Sequence, residues 1–194
     1  MWFRRKRLPF IDRAETRGGK TVALRVSRMT PEHVMWWHSH VQPIIDEDPR
    51  RADNGWNWIL YAAVTSVAGT VMAQQPYGYT VGLEVPERDA LIPCALVQLL
   101  GRFPALHNHR QSSVYLWYMT TAPKEALLTI PEHPLTEADL PKRLGSIALD
   151  VALTHSFNHR RRGRLGLHAD EAGGDFLLDW YRRRGMDVLP AGRR

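Results

Sequence analysis

The stretch LLDWYRRRGM, residues 177–186, carries an aromatic pair one turn before a glycine of the kind that commonly ends a helix. A tyrosine carries an ionisable hydroxyl, so Tyr181 could be placed there to do chemistry. Consecutive helical residues point about 100° apart, so Trp180 and Tyr181 cannot do the same job. We expect Trp180 to pack against a sheet. Tyr181 either completes an ordinary amphipathic face or takes part in chemistry.

Metal and thiol chemistry have weaker candidates. His33 and His38 are five residues apart, off the i,i+4 spacing of a zinc-binding helix, and His107 with His109 is a short pair without further ligands nearby. Cys94 is the single cysteine and lies in an apolar stretch. The sequence predicts no metal site and a buried, structural cysteine.

Composition favours one soluble domain. The chain has 194 residues, of which 44% are hydrophobic and 24% charged. No apolar run approaches the roughly 18 residues that cross a bilayer, so we expect no transmembrane segment. One cysteine rules out an intramolecular disulfide framework, and a cytoplasmic location is the default expectation.

The positive charge is concentrated at the two ends. Residues 1–28 carry nine Lys/Arg and two acidic residues, residues 29–159 carry eight and thirteen, and residues 160–194 carry nine and five. These counts give net charges of +7, −5 and +4, which sum to the overall +6. The basic ends either bind an anionic partner such as RNA or lipid, or simply keep the chain soluble.

Hydrophobic periodicity predicts a single mixed α/β domain in which helices flank a central twisted mixed sheet. Thr30 and Pro31 mark a helix start. Strand 112–121 is apolar on both faces, as in a central strand, and the unit 112–170 predicts a right-handed parallel crossover. The full set is strands at 21–28, 77–85, 90–100, 112–121, 164–170 and 186–190, helices at 31–41, 56–68, 144–161 and 173–184, and a turn at 87–89.

This order, with the ending WYRRRGM, resembles the GNAT superfamily of N-acetyltransferases. The resemblance covers residues 112–190 well and residues 20–110 by element order, so we assign residues 1–20 to a basic N-terminal extension and 21–194 to a GNAT-like acyltransferase domain. It implies that acetyl-CoA, with no metal, lies between two splayed parallel strands. It further implies that Tyr181 protonates the departing thiolate.

The resemblance also implies where the cofactor binds. Backbone groups around Met119, Thr120 and Thr121 would pair with the pantetheine. The diphosphate would meet the helix start KRLGSIA, with Lys142, Arg143, Gly145 and Ser146 as its contacts. Ile147 departs from the family pattern because a small residue is usual there. Asp139 offers an earlier helix cap that would leave no phosphate loop.

Acidic residues supply the acceptor side of the predicted site. Asp46, Glu47 and Asp48 can attract a cationic amine, or they form a solvated loop balanced by Arg50 and Arg51. Glu84 is a candidate general base, since family members often place a glutamate in the central strands; an exposed sheet edge is the other interpretation.

The sequence therefore predicts an acyl-CoA-dependent N-acyltransferase that acts on a primary amine of a small molecule, a protein or aminoacyl-tRNA. The alternative is a catalytically inactive GNAT-like module that binds RNA, lipid or protein and has lost the CoA phosphate loop. A homodimer is compatible with either function.

Overall fold

A six-stranded sheet with strand order β1-β2-β3-β4-β5-β6 organises the residues that the computed structural model describes, 7–85, 90–130 and 133–189. Neighbouring strands are antiparallel from β1 to β5, and β6 runs parallel to β5. The predicted mixed sheet flanked by helices is confirmed. The strands are β1 (Arg13–Glu15), β2 (Thr21–Arg28), β3 (Pro76–Val85), β4 (Ala90–Ala105), β5 (Asn108–Thr121) and β6 (Leu165–Leu167).

Six α-helices pack around this sheet. The first begins as predicted, because the Thr30 side chain accepts from the His33 backbone N–H and Pro31 occupies the first turn. The helices are α1 (Pro31–His40), α2 (Gln42–Asp46), α3 (Trp58–Val71), α4 (Lys124–Leu128), α5 (Leu144–Asn158) and α6 (Gly174–Arg182). None of those described is both long and apolar enough to cross a bilayer.

The helices cover both faces of the sheet. Thr80 on β3 contacts His33 of α1 (Oγ1 to Nδ1, 3.0 Å), whereas the preceding Tyr79 contacts His155 of α5 (hydroxyl to Nδ1, 2.8 Å). Consecutive strand residues face opposite sides, so α1 and α5 lie on opposite faces. On this pattern Tyr118 and Thr120 of β5 face α1–α3, and Met119 faces α5.

β6 pairs with only a short part of β5. The parallel pairing joins only Val114–Leu116 to Leu165–Leu167. Directly beyond it, Gln98 of β4 pairs with Tyr118 while Leu99 pairs with Leu116, which leaves Trp117 as an extra, bulged residue. A bulge bends its strand, so β5 turns at the point where β6 ends.

The predicted N-terminal extension contains a strand of this sheet. Residues 13–15 pair with 21–23, and Thr16 bridges to Pro141. The boundary predicted at Thr21 thus falls within a β-hairpin. Residues 1–6 lie outside the described part of the chain.

Three sequence expectations differ from the structure. Residues 186–189 form no strand, because the chain leaves α6 without reaching a free sheet edge in hydrogen-bonding register. Asp139 does not cap α5; its carboxylate accepts from the Thr136 backbone N–H (3.1 Å) in a separate 3-10 turn, Glu137–Asp139. Ile147 does not obstruct the helix start, since its side chain is buried in the core. The turn predicted at 87–89 lies outside the described residues.

Candidate functional site

The open half of β5 presents backbone groups to the space beside it. Ala122 donates its N–H to the Cys94 carbonyl (2.9 Å), and the ladder continues with Thr120 opposite Leu96. Bonded and non-bonded pairs alternate in an antiparallel ladder, so Met119 and Thr121 direct their backbone groups away from β4. They lie beyond the end of β6. An extended ligand could therefore pair there as an added strand.

The three residues predicted to hold pantetheine differ in what they offer. The Met119 N–H and C=O face the opening. The Thr121 carbonyl already accepts from the Arg51 guanidinium (2.9 Å). The backbone of Thr120 belongs to the ladder with β4, and its hydroxyl donates to the Asp53 carboxylate.

The start of α5 is a helix N-terminus without a side-chain cap. Arg143 precedes the helix in a left-handed conformation (φ 59°), a region in which glycine is more usual. Its exposed side chain adds positive charge beside the first-turn N–H groups of Leu144, Gly145 and Ser146, which have no intrahelical partner. The arrangement suits an anion.

Trp180 and Arg184 of the α6 end pack on this helix start. A Cβ added at Gly145 would lie 3.1 Å from Cζ2 of Trp180, so a side chain there would require the indole ring to shift slightly. The Arg184 guanidinium stacks on the Trp180 ring (3.6 Å to the centroid) and donates to the Ser146 hydroxyl (Nη2 to Oγ, 2.8 Å). Trp180 therefore packs against the start of α5, whereas the sequence predicted that it packs against the sheet. Arg184 is a site residue that sequence reasoning missed.

Lys142, predicted to contact the diphosphate, is engaged elsewhere. Its ammonium lies 2.7 Å from the Glu15 carboxylate on β1, and this contact lowers the pKa of Glu15. The positive charge closest to an anion at the helix start is thus that of Arg143 and Arg184.

Tyr181 lines a cavity of about 440 Å³ between α5, α6 and β6. Burial raises the pKa of this phenol to about 12, so it stays protonated at physiological pH. Within the described residues its hydroxyl makes no hydrogen bond, and so remains available to a ligand. Arg184 lines the same cavity and connects it to the start of α5.

The acidic residues predicted to attract an amine are mostly bound to their own loop. Asp46 accepts from the Gln42 side chain (2.7 Å) and the Gly55 N–H (2.8 Å). Asp48 pairs with the Arg50 guanidinium (2.9 Å), which lowers the pKa of that carboxyl. Glu47 is exposed.

Another carboxylate in this loop, that of Asp53, joins the loop to the sheet. Asp53, 7% exposed, accepts two hydrogen bonds from Arg51 (2.8 and 2.7 Å) and one from the Thr120 hydroxyl. Arg51 also holds the Thr121 carbonyl (2.9 Å). This Arg51–Asp53 pair fixes the loop beside the open end of β5. The sequence pattern gave no signal for the contact between Asp53 and Thr120, because these residues are 67 positions apart.

Glu84 lies at the same end of the sheet as the opening. Val81, Ala95 and Thr121 are level with one another across three strands, so Glu84 lies three residues farther along, about 10 Å at 3.3 Å per residue. Its carboxylate is exposed and 3.8 Å from Nε of Arg25. Because β4 separates β3 from β5, Glu84 is also two strands away from the opening and does not contact it directly.

Among the described residues, no group of three His, Cys, Asp or Glu side chains is arranged to hold a metal. Cys94 is fully buried, and burial raises the pKa of its thiol to about 12. It is inert, as expected for a structural cysteine.

The chain matches no protein-family model and has no significant match among curated proteins.

Proposed function

We propose that this protein is an acyl-CoA-dependent N-acyltransferase that transfers an acyl group to a primary amine. The observation that carries the proposal is the open edge of β5 beyond Leu116, where β6 has ended. The uncapped start of α5 and the Tyr181 hydroxyl, which has no partner among the described residues, lie on the adjoining helices. A crevice between parallel strands at their carboxyl ends is a common ligand site in α/β sheets.

Each part of the donor has a complementary group. The diphosphate suits the first-turn N–H groups of α5 and the positive charges of Arg143 and Arg184. The pantetheine amides suit the outward backbone groups of Met119, as in strand addition. The thioester then reaches the cavity that Tyr181 lines.

The reaction follows from these positions. The neutral amine attacks the thioester carbonyl carbon, and collapse of the tetrahedral intermediate breaks the C–S bond. Tyr181 gives its proton to the departing thiolate. A water molecule takes the proton from the amine and can pass it to Glu84. Amide and CoA are the products.

Arginines at opposite ends of α5 allow a matched test of donor binding. Arg143 and Arg162 are both exposed and both left-handed (φ 59° and 56°), but only Arg143 adjoins the helix start. Calorimetry with acetyl-CoA should show at least roughly tenfold weaker binding for Arg143→Gln and no change for Arg162→Gln, since a charge-assisted hydrogen bond contributes about 1.5–3 kcal/mol. Equal effects of the two substitutions would exclude an anion site at the start of α5.

The alternative is an inactive GNAT-like module, and two observations favour it. Lys142 is held by Glu15, and an arginine occupies a conformation that favours glycine at the proposed phosphate site. This alternative predicts no heat of binding with acetyl-CoA and no rise in melting temperature. A donor at 100 times its dissociation constant should add about 2.7 kcal/mol of stability if it binds.

A further inference from the structure

The cavity beside Tyr181 has walls that are mainly aliphatic. Leucines from α5, β6 and α6 line it, among them Leu149, Leu153, Leu165 and Leu178, and Val188 and Leu189 close one side. Its volume of about 440 Å³ lies within the range of small-molecule sites. An acetyl group would leave most of this apolar surface in contact with water.

Polar groups line the cavity in two places: Tyr181 and Arg184 toward the start of α5, and His107, Ser113 and Arg164 near the hairpin between β4 and β5. Arg184 lines the cavity and reaches Ser146 at that helix start, and Tyr181 comes from the preceding turn of α6. Farther along α5, Leu149 and Leu153 follow on the cavity side. A ligand that fits has a polar, anionic head toward Arg184 and an aliphatic chain running along α5.

We propose that this cavity holds the aliphatic chain of an acyl group, so that the protein selects a medium-chain acyl donor over acetyl-CoA. The inference depends on the proposed function for its source of the chain. A free fatty acid carries the same chemistry, and the experiment separates the two sources.

The magnitude of the preference follows from the hydrophobic effect. Burying one methylene contributes about 0.8 kcal/mol, which is roughly a fourfold gain in affinity. An octanoyl chain has six methylenes more than an acetyl group. Burial of only three of them would make octanoyl-CoA bind about 50-fold tighter.

Calorimetry with acetyl-CoA, octanoyl-CoA and octanoate tests this on the full chain. Octanoyl-CoA should bind at least about 30-fold tighter than acetyl-CoA. Leu153→Trp, which fills the cavity, should reduce this ratio to less than about threefold. Leu60→Trp, on the exposed face of α3, is the control and should keep the full ratio. Leu178→Phe replaces Leu153→Trp if that variant does not fold.

Each outcome decides one of the two claims. Equal affinities for the two thioesters, or a ratio that survives Leu153→Trp, would overturn the acyl-chain site and leave the proposed function standing. Absence of binding by either thioester would contradict the proposed function. Binding of octanoate would then decide whether the cavity holds an aliphatic chain. Binding of octanoate that Leu153→Trp abolishes supports a chain-binding cavity filled by a free fatty acid. No binding of octanoate overturns it.

Discussion

Two groups of polar side chains, one on each face of the sheet, differ in how fully they are hydrogen-bonded. On the α1–α3 face, Arg51, Asp53 and Thr120 satisfy one another, and Asp46 is bonded to its own loop. On the α5–α6 face, the Tyr181 hydroxyl has no partner in the described chain, and the start of α5 has no side-chain cap.

This difference separates structural polar groups from those available to a ligand. A hydroxyl that lines a cavity and has no partner in the described chain can bind a ligand, whereas a carboxylate already bonded to its own loop is less available. The sequence predicted that Asp46, Glu47 and Asp48 attract an amine, yet Asp46 and Asp48 are bonded within their loop. The proposed reaction therefore belongs on the α5–α6 face.

The largest expected effect is on turnover. Tyr181→Phe keeps the ring and removes the hydroxyl, so kcat should fall roughly a hundredfold with KM little changed, because a positioned acid contributes about 10²–10⁴ in rate. The free energy of unfolding should change by less than about 1.5 kcal/mol. Steady-state kinetics with octanoyl-CoA or acetyl-CoA and a panel of primary amines measures the first quantity, and urea unfolding the second.

Tyr79→Phe is the matched control on β3. Its hydroxyl is bonded to His155 (2.8 Å), so the variant should lose about 1–2 kcal/mol of stability and keep its turnover. If Tyr181→Phe keeps near-full activity, the tyrosine is a packing residue. The pH profile gives a further check, since a phenol with a pKa of about 12 remains an acid through pH 10 and produces no decline in activity below that pH.

The next largest effect is expected on the α1–α3 face, where Arg51, Asp53 and Thr120 are hydrogen-bonded to one another. Asp53→Ala leaves the Arg51 guanidinium and the Thr120 hydroxyl without their partner, so it should lower the free energy of unfolding by about 2–3 kcal/mol; breaking a fully buried pair costs about 3–5. Urea unfolding measures this loss. Asp48→Ala removes an exposed carboxylate and should show no measurable change. Similar losses in the two variants would contradict the distinction between them.

The smallest effect concerns His155, whose ring is buried near Arg28, Arg161 and His159. Burial lowers its pKa to about 3, so the folded protein keeps the ring neutral while the unfolded chain protonates it below about pH 6.5. The unfolded state then binds more protons as the pH falls. Stability should therefore decline by roughly 1 kcal/mol from pH 6.5 to pH 5.5 through this group.

His155→Gln should remove that contribution, because an amide can still accept from Tyr79 and does not titrate. Urea unfolding of the wild type and the variant at both pH values measures it as a difference between slopes. Identical slopes for the wild type and the variant would mean that His155 takes up protons to the same extent in the folded and the unfolded chain.

Local signals in the sequence predict much of the fold. Strand 21–28 has the predicted bounds because its alternation is regular, and α1 starts at Pro31 because Thr30 caps it. The prediction of a strand at 186–190 was wrong for residues 186–189, because an apolar run does not by itself specify a hydrogen-bonding partner. The N-terminal strand at 13–15 was missed because three residues carry too little periodicity.

Residues of the candidate site could be predicted from the sequence only where the signal is local. Tyr181 was chosen as a candidate because of the aromatic pair and the glycine, Gly185, that follows it. The contact of Arg184 with Ser146 spans 38 residues, and that of Asp53 with Thr120 spans 67, so neither leaves a local pattern. The occupation of Lys142 by Glu15 likewise depends on the tertiary fold.

Leu8 and Glu15, which precede β2, are bonded to the end of α5 and to the segment just before it. Leu8 exchanges two hydrogen bonds with the Asn158 side chain (2.7 and 2.9 Å), 150 residues away, and Glu15 holds Lys142. Both partners are made only after β5. Long-range contacts of this kind slow folding, because the chain must close a large loop before the contact contributes. Residues 8–15 can therefore reach their native positions only after the chain has been made as far as residues 142–158.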